Sequence, residues 1–235
     1  MKICAISDLH GNLPIVEPCD LLIISGDICI DFGPPKERTV FGRKVVARAE
    51  VGSNDAVQEQ ADWLDGPFRK WLDNVPAKEV VACWGNHDFI GQRGDHLIPE
   101  LRWHMLTEET KTILGLKIYG NPYQPWYYDW SYNLPRGIAG DLVMAEKLNK
   151  VEEGTDIMIV HGPPRGYGDV APDGTPTGSI PLTETIFRIK PKLTVHGHIH
   201  CGRGEWRIGE TIVCNASILD EAYEMVHKPF YFDLD

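Results

Sequence analysis

The chain lacks any apolar run approaching the roughly 20 consecutive residues that a membrane-spanning helix needs. Its first apolar run begins at Ile3, without a basic leader or a cleavage site before it. The six cysteines form no C-x-x-C pair, and three of them lie inside strand-like apolar runs: Cys4, Cys83 and Cys214. Because a thiol in such a run behaves as a small hydrophobe, we expect the cysteines to be reduced. From the lack of a long apolar run and of a leader, we expect a cytoplasmic protein without membrane contact.

Positive charge is also scarce. There are 23 Lys and Arg residues against 34 Asp and Glu residues, which gives a formal net charge of -11. Such a field repels polyanions, whereas proteins that bind long nucleic acids usually present basic stripes. A long duplex is therefore not expected as a substrate. Aspartates clustered around divalent cations would be neutralised by those cations, so the net charge does not require an electronegative site.

The length and composition are those of an ordinary globular protein. With 235 residues, 43% hydrophobic and 24% charged, the chain can bury a substantial core, and we predict a single domain over residues 1–235. Short apolar, β-branched runs predict strands. They lie at residues 2–7, 21–25, 79–84, 117–119, 156–160, 193–195, 211–214 and 230–232.

Apolar residues at three-to-four spacing predict a helix over about residues 55–74, which Gly66-Pro67 would kink or split. Further helices are predicted at residues 139–148 and near 183–188. In the later part of the chain, predicted strands outnumber predicted helices. This pattern favours an α/β fold of two packed mixed β-sheets flanked by helices over a simple Rossmann arrangement.

Residues 31–54 stand apart from this alternation. They contain a Pro-Pro pair and five basic residues: Lys36, Arg38, Arg43, Lys44 and Arg48. The segment is predicted to be an inserted loop or hairpin. Two interpretations stay open, since charge runs usually face water but a basic lid would attract phosphate.

Side chains that can bind metals follow the predicted strands almost directly: Asp8, His10, Asp27, Asn86, His161, His198 and His200. Side chains two positions apart on an extended segment point to the same side. Asp8 with His10, and His198 with His200, would therefore converge. Loops that leave adjacent strand ends would gather all seven side chains at one locus.

Oxygen and imidazole ligands without thiolate suit Mn, Fe, Zn or similar ions. Two such ions about 3.5–4 Å apart can hold a phosphate and lower the pKa of a bridging water. Asp27 is the natural bridging ligand because a shared carboxylate offers two oxygens, and Asn86 adds a carbonyl oxygen. Each residue alone has an ordinary structural explanation, such as a turn cap or a core histidine, but their ordered combination favours hydrolysis of a small phosphate ester.

At this point the sequence resembles the calcineurin-like metallophosphoesterase superfamily, whose blocks run D-x-H, G-D, G-N-H-[DE], H and G-H-x-H. All five blocks are present in order. They stand here as Ser7-Asp8-Leu9-His10-Gly11-Asn12, Gly26-Asp27, Gly85-Asn86-His87-Asp88, His161-Gly162 and Gly197-His198-Ile199-His200.

The resemblance implies two metal sites that share Asp27. The first site takes Asp8, His10, Asp27 and His200, and the second takes Asp27, Asn86, His161 and His198. It also implies catalytic roles for His87, which would meet the leaving group or the phosphate, and for Asp88, which would orient and charge His87. Asn12 is expected at the substrate.

A narrower resemblance, to the metallophosphoesterase-domain-containing branch, rests on residues 120–126, on 161–164 with Gly168-Asp169, and on 215–217. That branch is associated with cyclic-nucleotide phosphodiesterase activity, so small nucleotide diesters are the expected substrates. The superfamily equally includes phosphatases of monoesters or proteins. A nucleotide-binding module with weak turnover is a third alternative.

Three further side chains have two interpretations each. The aromatic run that begins at Trp126 would either stack a nucleobase or cover a sheet edge. Arg165 would either pair with a phosphate oxygen or face water. His196 is expected to be buried or to orient a neighbouring ligand rather than to bind metal itself.

Overall fold

The structure is a computed structural model that describes residues 1–31, 36–40, 43–47 and 49–234. Those residues form thirteen strands and five α-helices, numbered here in chain order. Most of the strands lie in two sheets. No helix within the described ranges is both long and apolar enough to cross a membrane.

The first sheet contains four parallel strands with an antiparallel strand at one edge. In spatial order it runs β13 (Phe230–Asp233), β1 (Lys2–Ile6), β2 (Cys19–Ser25), β5 (Ala77–Cys83) and β6 (His104–Met105). The register places Ile24 beside Ile6 on one side and beside Ala82 on the other. The carboxyl ends of these three strands therefore meet at one edge of the sheet.

The second sheet has a parallel centre and an antiparallel strand at each edge. It runs β11 (Gly204–Ile208), β12 (Thr211–Asn215), β10 (Leu193–His196), β9 (Ile157–Val160), β8 (Leu116–Asn121) and β7 (Glu109–Ile113). All strands predicted from apolar runs are present. The additional strands β6, β7 and β11 are short or mostly solvent-facing, and so carry weak apolar patterns.

The two sheets pack face to face around a shared core. Ile23 and Val81 of the first sheet lie in one buried cluster with Ile159 and Val195 of the second. The predicted fold class, two packed mixed sheets flanked by helices, is confirmed. Central strands buried on both faces explain why the sequence shows near-continuous apolar runs there.

Helices cover the outer face of each sheet. The first face packs against α1 (Asn54–Trp63), α2 (Arg69–Asn74) and α3 (Phe89–Arg93), and the second packs against α4 (Ile138–Leu148) and α5 (Ile180–Ile189). A π-helical turn, Leu64–Phe68, separates α1 from α2 and contains Pro67, so the predicted break is confirmed. Proline has no backbone N–H and its ring clashes with the preceding turn, which such a bulge accommodates.

The segment predicted as an inserted loop or hairpin contains an antiparallel pair of strands, β3 (Lys36–Val40) and β4 (Arg43–Ala47). Lys44 is exposed. The other four basic side chains, on which the lid interpretation depends, lie outside the described part of the chain.

Candidate metal centre

The seven predicted ligands follow the carboxyl ends of strands from both sheets. Asp8 follows β1, Asp27 follows β2, Asn86 follows β5, His161 follows β9 and His198 follows β10. Parallel strands that share an edge deliver their following loops to the same crevice. The structure thus brings together residues that are far apart in sequence, as in the hydrogen bond that the His198 amide donates to Asp8 Oδ1 across 190 positions.

The side chains converge for a different reason from the one predicted. Asp8, His10, Asp27 and His198 all have positive φ angles, between 42° and 69°, so they are not on extended segments. The period-two argument for the paired ligands was therefore wrong, although the pairs do meet. A non-glycine residue in the left-handed region costs about 1–3 kcal/mol, and such residues concentrate at functional sites.

Asp8, His10 and His200 form the first ligand group, beside Asp27, and a further candidate group joins His10 and Asp27 to His87. Each of the three side chains offers a ligand atom, and these atoms lie within 4.8 Å of one another. His200 Nε2 is 3.6 Å from Asp8 Oδ1, while its Nδ1 lies 2.9 Å from the Asp220 carbonyl oxygen. When the N–H of one histidine ring nitrogen donates a hydrogen bond to a carbonyl oxygen, the other ring nitrogen presents its lone pair to a metal.

The second group consists of Asp27, His161 and His198, whose ligand atoms also lie within 4.8 Å of one another. The Asn86 Oδ1 atom is 2.8 Å from both His161 Nε2 and His198 Nδ1. His161 Nδ1 lies 2.9 Å from the Ser25 carbonyl oxygen, which orients the ring. Three imidazole or carboxylate groups and one amide oxygen therefore face a common point.

Asp27 lies between the two groups. Its Oδ2 atom is 3.2 Å from His161 Nε2 and 3.5 Å from His10 Nε2. Its Oδ1 atom accepts a hydrogen bond of 2.8 Å from the His87 amide. A single oxygen, Oδ2, thus faces both groups.

Three buried polar atoms of the predicted ligands have no hydrogen-bond partner: the amide Nδ2 of Asn86 and two potential metal-binding atoms, Asp8 Oδ2 and His10 Nε2. Burial of a polar atom without a partner costs roughly 1–3 kcal/mol, so native proteins rarely leave one unexplained. Coordination to a cation would satisfy the two potential metal-binding atoms, Asp8 Oδ2 and His10 Nε2. The donor set of carboxylate, imidazole and amide oxygen therefore fits divalent Mn, Fe or Zn.

Glycines bring the loops close enough to form the centre. A Cβ atom on Gly85 would overlap the Asp27 carboxylate, and one on Gly197 would overlap that of Asp8. The glycines of the G-N-H-D and G-H-x-H blocks are thus required by close approach to ligands from other strands.

Burial and charge oppose each other at the histidines before a metal binds. Burial lowers the pKa of His10, but the Asp31 hydrogen bond and neighbouring carboxylates outweigh it and raise this pKa to about 9. At His161, burial is likewise outweighed by Asp27, and the pKa rises to about 9. Burial lowers the pKa of His198 to about 3. At neutral pH the His10 and His161 rings are therefore positively charged imidazolium groups, whereas the His198 ring is uncharged.

We expect metal binding to release protons and to weaken as the pH falls below about 9, the pKa of His10 and His161. A raised histidine pKa keeps the proton on the ring through the neutral range, so acid competes with the metal and alkaline pH favours it. Calorimetric titration with Mn²⁺ at neutral pH, in buffers of different ionisation enthalpy, measures the released protons. An apparent enthalpy that is the same in all buffers would contradict this prediction.

His87 has an acidic partner that the sequence did not suggest. Its Nδ1 atom lies 2.7 Å from Asp31 Oδ1, which is also 3.0 Å from His10 Nδ1. Both rings lower the pKa of the Asp31 carboxyl against the opposing effect of its burial. Asp31 is the first polar residue after the apolar run that follows Asp27, and it was assigned only to the inserted segment. That position at the end of an apolar run was the one available signal.

Asp88 therefore does not orient His87 as the resemblance implied. Its Oδ1 atom accepts hydrogen bonds from the amides of Ile28 and Cys29, at 2.9 and 2.8 Å, and its Oδ2 atom accepts one from Gly85 at 2.7 Å. The side chain is fully buried. Burial, with a smaller contribution from Asp27, raises the pKa of its carboxyl to about 6. Asp88 fastens together the loops that carry Asp27 and Asn86.

Two cavities open on the centre. One has a volume of about 500 Å³ and is lined by apolar side chains, including Phe89, and by Asn12. The other, of about 200 Å³, is bounded by Trp126 among others. His10, His87, Trp130 and Tyr223 line both. The aromatic run thus forms a wall of the metal cleft, with the Trp130 ring centroid 4.1 Å from that of His87.

Tyr223 is a second residue that sequence reasoning missed. Its ring centroid is 4.8 Å from that of His10 and 5.1 Å from that of His200. It also has a positive φ, 62°, which is rare for a bulky residue. Tyr223 lies in an irregular segment without periodicity, so no sequence signal pointed to it.

Arg165 and His196 both lie outside the predicted ligand set. The Arg165 guanidinium donates a 2.7 Å hydrogen bond to the Pro176 carbonyl and lines a separate cavity. His196 is fully buried, as predicted, and stacks on Trp206 at 6.5 Å between ring centroids. It belongs to neither ligand group.

The comparisons with known proteins agree with this geometry. A family model described as calcineurin-like phosphoesterase matches residues 1–202. This match agrees with the His and Asp groups as a site for divalent metal. The chain belongs to the calcineurin-like phosphoesterase family.

Within the family, the chain is 36% identical over 194 residues to metallophosphoesterase domain-containing protein 1 of Homo sapiens, covering 71% of this chain and 58% of that protein. It is 35% identical over 247 residues to UPF0046 protein T07D4.2 of Caenorhabditis elegans, covering 100% of this chain and 60% of that one. The chain thus spans about three-fifths of the length of these relatives. The first similarity confirms the narrower branch.

A solved structure, TT1561 of Thermus thermophilus, has the same fold. It superposes with a TM-score of 0.55 at 13% identity, covering 91% of this chain and 88% of that one.

Proposed function

We propose that this protein is a phosphodiesterase that uses two divalent metal ions to hydrolyse small nucleotide or cyclic-nucleotide diesters. Two ligand groups that share Asp27 support a pair of ions, one with Asp8, His10 and His200 and one with Asn86, His161 and His198. The net charge of -11 favours a small ester over a long duplex. The cytoplasmic location stays a prediction.

The observation that carries the diester assignment is the pair of cavities that meet over His10 and His87. A phosphodiester places an organic group on each side of its phosphorus, whereas a monoester places one. Trp130 and Tyr223 line both cavities and so flank the point where the phosphate would lie. Their aromatic faces suit a nucleoside arm.

The residues of this chain divide the remaining chemistry. Metal ions held by the two ligand groups would polarise the phosphate and lower the pKa of an attacking water molecule. The Asp31 carboxylate holds the His87 ring through Nδ1, which leaves Nε2 free to donate a proton to the departing alkoxide.

A substrate pair tests this function. Bis(p-nitrophenyl) phosphate and p-nitrophenyl phosphate share a leaving group and differ in the second arm. After chelator treatment we expect no turnover, and after addition of Mn²⁺ we expect kcat/KM for the diester to exceed that for the monoester by roughly tenfold, a difference of about 1.4 kcal/mol.

The Asp27→Asn variant, purified in parallel, controls for contaminating hydrolases and should show neither activity. A higher kcat/KM for the monoester would contradict the diester assignment and favour a phosphatase. Tight binding of a nucleotide without hydrolysis, measured by calorimetry on the metal-loaded protein, would instead favour a binding module.

A further inference from the structure

A third cavity, of about 240 Å³, lies directly beside the metal cleft. Pro125, Trp126 and Thr177 line both this cavity and the smaller of the two cavities on the metal centre. A ligand arm that passes Trp126 would therefore leave the cleft and enter the third cavity. We call it the arginine cavity, after Arg136 and Arg165, which line it.

Arg136 is held where it can act as an anion receptor. Its guanidinium lies over the Trp126 ring, 3.4 Å from the ring centroid, and no carboxylate partner is found for it among the described residues. A guanidinium stacked on an aromatic face is pre-oriented, and its edge still presents N–H donors. An anion at that edge would gain hydrogen bonds without ordering a flexible side chain.

The charge of Arg165 is only partly compensated. Its Nη1 donates to the Pro176 carbonyl at 2.7 Å, and its Nε is 3.8 Å from Asp169 Oδ2, with the side chain 43% exposed. Further N–H groups stay available, since a guanidinium carries five. Helices α4 and α5 both begin among the lining residues, and their positive ends add to the same potential. One carboxylate, Asp141, also lines the cavity and opposes them.

We propose that the arginine cavity binds a second phosphate, carried by the organic arm of the diester that lies against Trp126. The preferred substrates are then diesters in which one arm is itself phosphorylated, such as a nucleotide with a further phosphate on its sugar. This inference rests on the proposed phosphodiesterase function. Arginine is the residue type best suited to binding phosphate, because guanidinium and phosphate form paired, charge-assisted hydrogen bonds. The cavity offers two arginines.

The test compares two substrates that differ only in that phosphate: the p-nitrophenyl ester of thymidine 5′-phosphate and its 3′-phosphorylated counterpart. The measured quantity is the ratio of their kcat/KM values on the Mn²⁺-loaded protein. We expect the wild type to prefer the phosphorylated substrate by roughly tenfold, the scale of one hydrogen bond to a charged group. The preference should shrink at high salt.

Variants separate the cavity from general effects of charge. Arg136→Gln and Arg165→Gln should each lower the ratio toward one, while Asp141→Asn should raise it. Arg207→Gln removes the same charge from an exposed strand of the second sheet and should leave the ratio unchanged. Loss of the Trp126 stack in Arg136→Gln acts on both substrates alike, so the ratio isolates the phosphate.

Each outcome bears on one claim. A wild-type ratio near one, or a ratio that Arg207→Gln lowers as much as Arg136→Gln does, overturns the arginine cavity while the phosphodiesterase function stands. Inhibition by inorganic phosphate that Arg136→Gln relieves equally for both substrates shows a site for free phosphate, and also overturns it. Hydrolysis of neither diester, with turnover of a monoester, overturns the proposed function itself.

Discussion

Replacing Asp27 with alanine is expected to remove both metals and to lower kcat/KM by roughly 10²–10³ or more, the scale of losing a major electrostatic contribution to a transition state. Asp27 has this effect because a single atom, Oδ2, faces His10 on one side and His161 on the other. In the described part of the chain, Asp27 is the one carboxylate that belongs to two candidate ligand groups, with His10 and His87 on one side and with His161 and His198 on the other.

Asp27 also lies at the junction of two loops. Its Oδ1 accepts a hydrogen bond from the His87 amide. Asp27→Ala removes this bond and therefore also loosens the segment that carries Asn86. The Asp27→Asn variant keeps that acceptor and the side-chain volume and removes the charge. We therefore expect Asp27→Asn to fold normally and still to lose metal, which separates coordination from structural damage.

Metal content after dialysis, measured by elemental analysis, checks this prediction. Asp20→Ala is a matched control, because it removes a carboxylate that pairs with Lys78 at the opposite end of the same strand. That variant should retain its metals. Two tightly held metals in Asp27→Asn would exclude Asp27 as the shared ligand. His10→Ala should be milder, since His10 belongs to one side of the centre.

His87→Asn is expected to keep both metals while kcat falls by roughly 10²–10⁴, the usual contribution of general acid–base catalysis. His87 lines both cavities, and its ring is fixed between the Asp31 carboxylate and the Trp130 indole. Departure of an alkoxide without a proton is costly, and an imidazolium paired with a carboxylate supplies that proton.

The loss should depend on the leaving group. Esters with acidic leaving groups need little protonation and should suffer least, whereas alkyl or ribose leaving groups should suffer most. The measurement is a metal count together with kcat over substrates of graded leaving-group pKa. Equal losses across the series would show that His87 stabilises phosphate charge without donating a proton. Loss of a metal would make it a ligand, a role that its proximity to His10 and Asp27 makes testable.

Asp31 gives a second means of testing the same role. Asp31→Asn keeps a hydrogen-bond acceptor for the His87 ring but removes the charge, so it should reproduce part of the His87→Asn loss with the same leaving-group dependence. Because Asp31 also contacts His10, the metal count of this variant distinguishes a weakened proton donor from a weakened ligand.

Much of the fold and of the ligand set could be predicted from the sequence because both depend on local patterns. Apolar runs marked the strands that form the shared core, and polar residues directly after them marked the ends that meet at one edge. Pro67 marked the break between α1 and α2. The glycines of the family blocks marked positions where loops approach Asp8 and Asp27.

Only the tertiary structure decided which side chains touch. Asp31 is 56 residues from His87 in sequence, and Tyr223 reaches His10 from an irregular segment near the carboxyl end. Asp88, which the resemblance placed beside His87, holds backbone amides instead. Such contacts depend on where separate loops meet in space and on left-handed backbone angles at the ligands, and neither is encoded in the periodicity of any one segment.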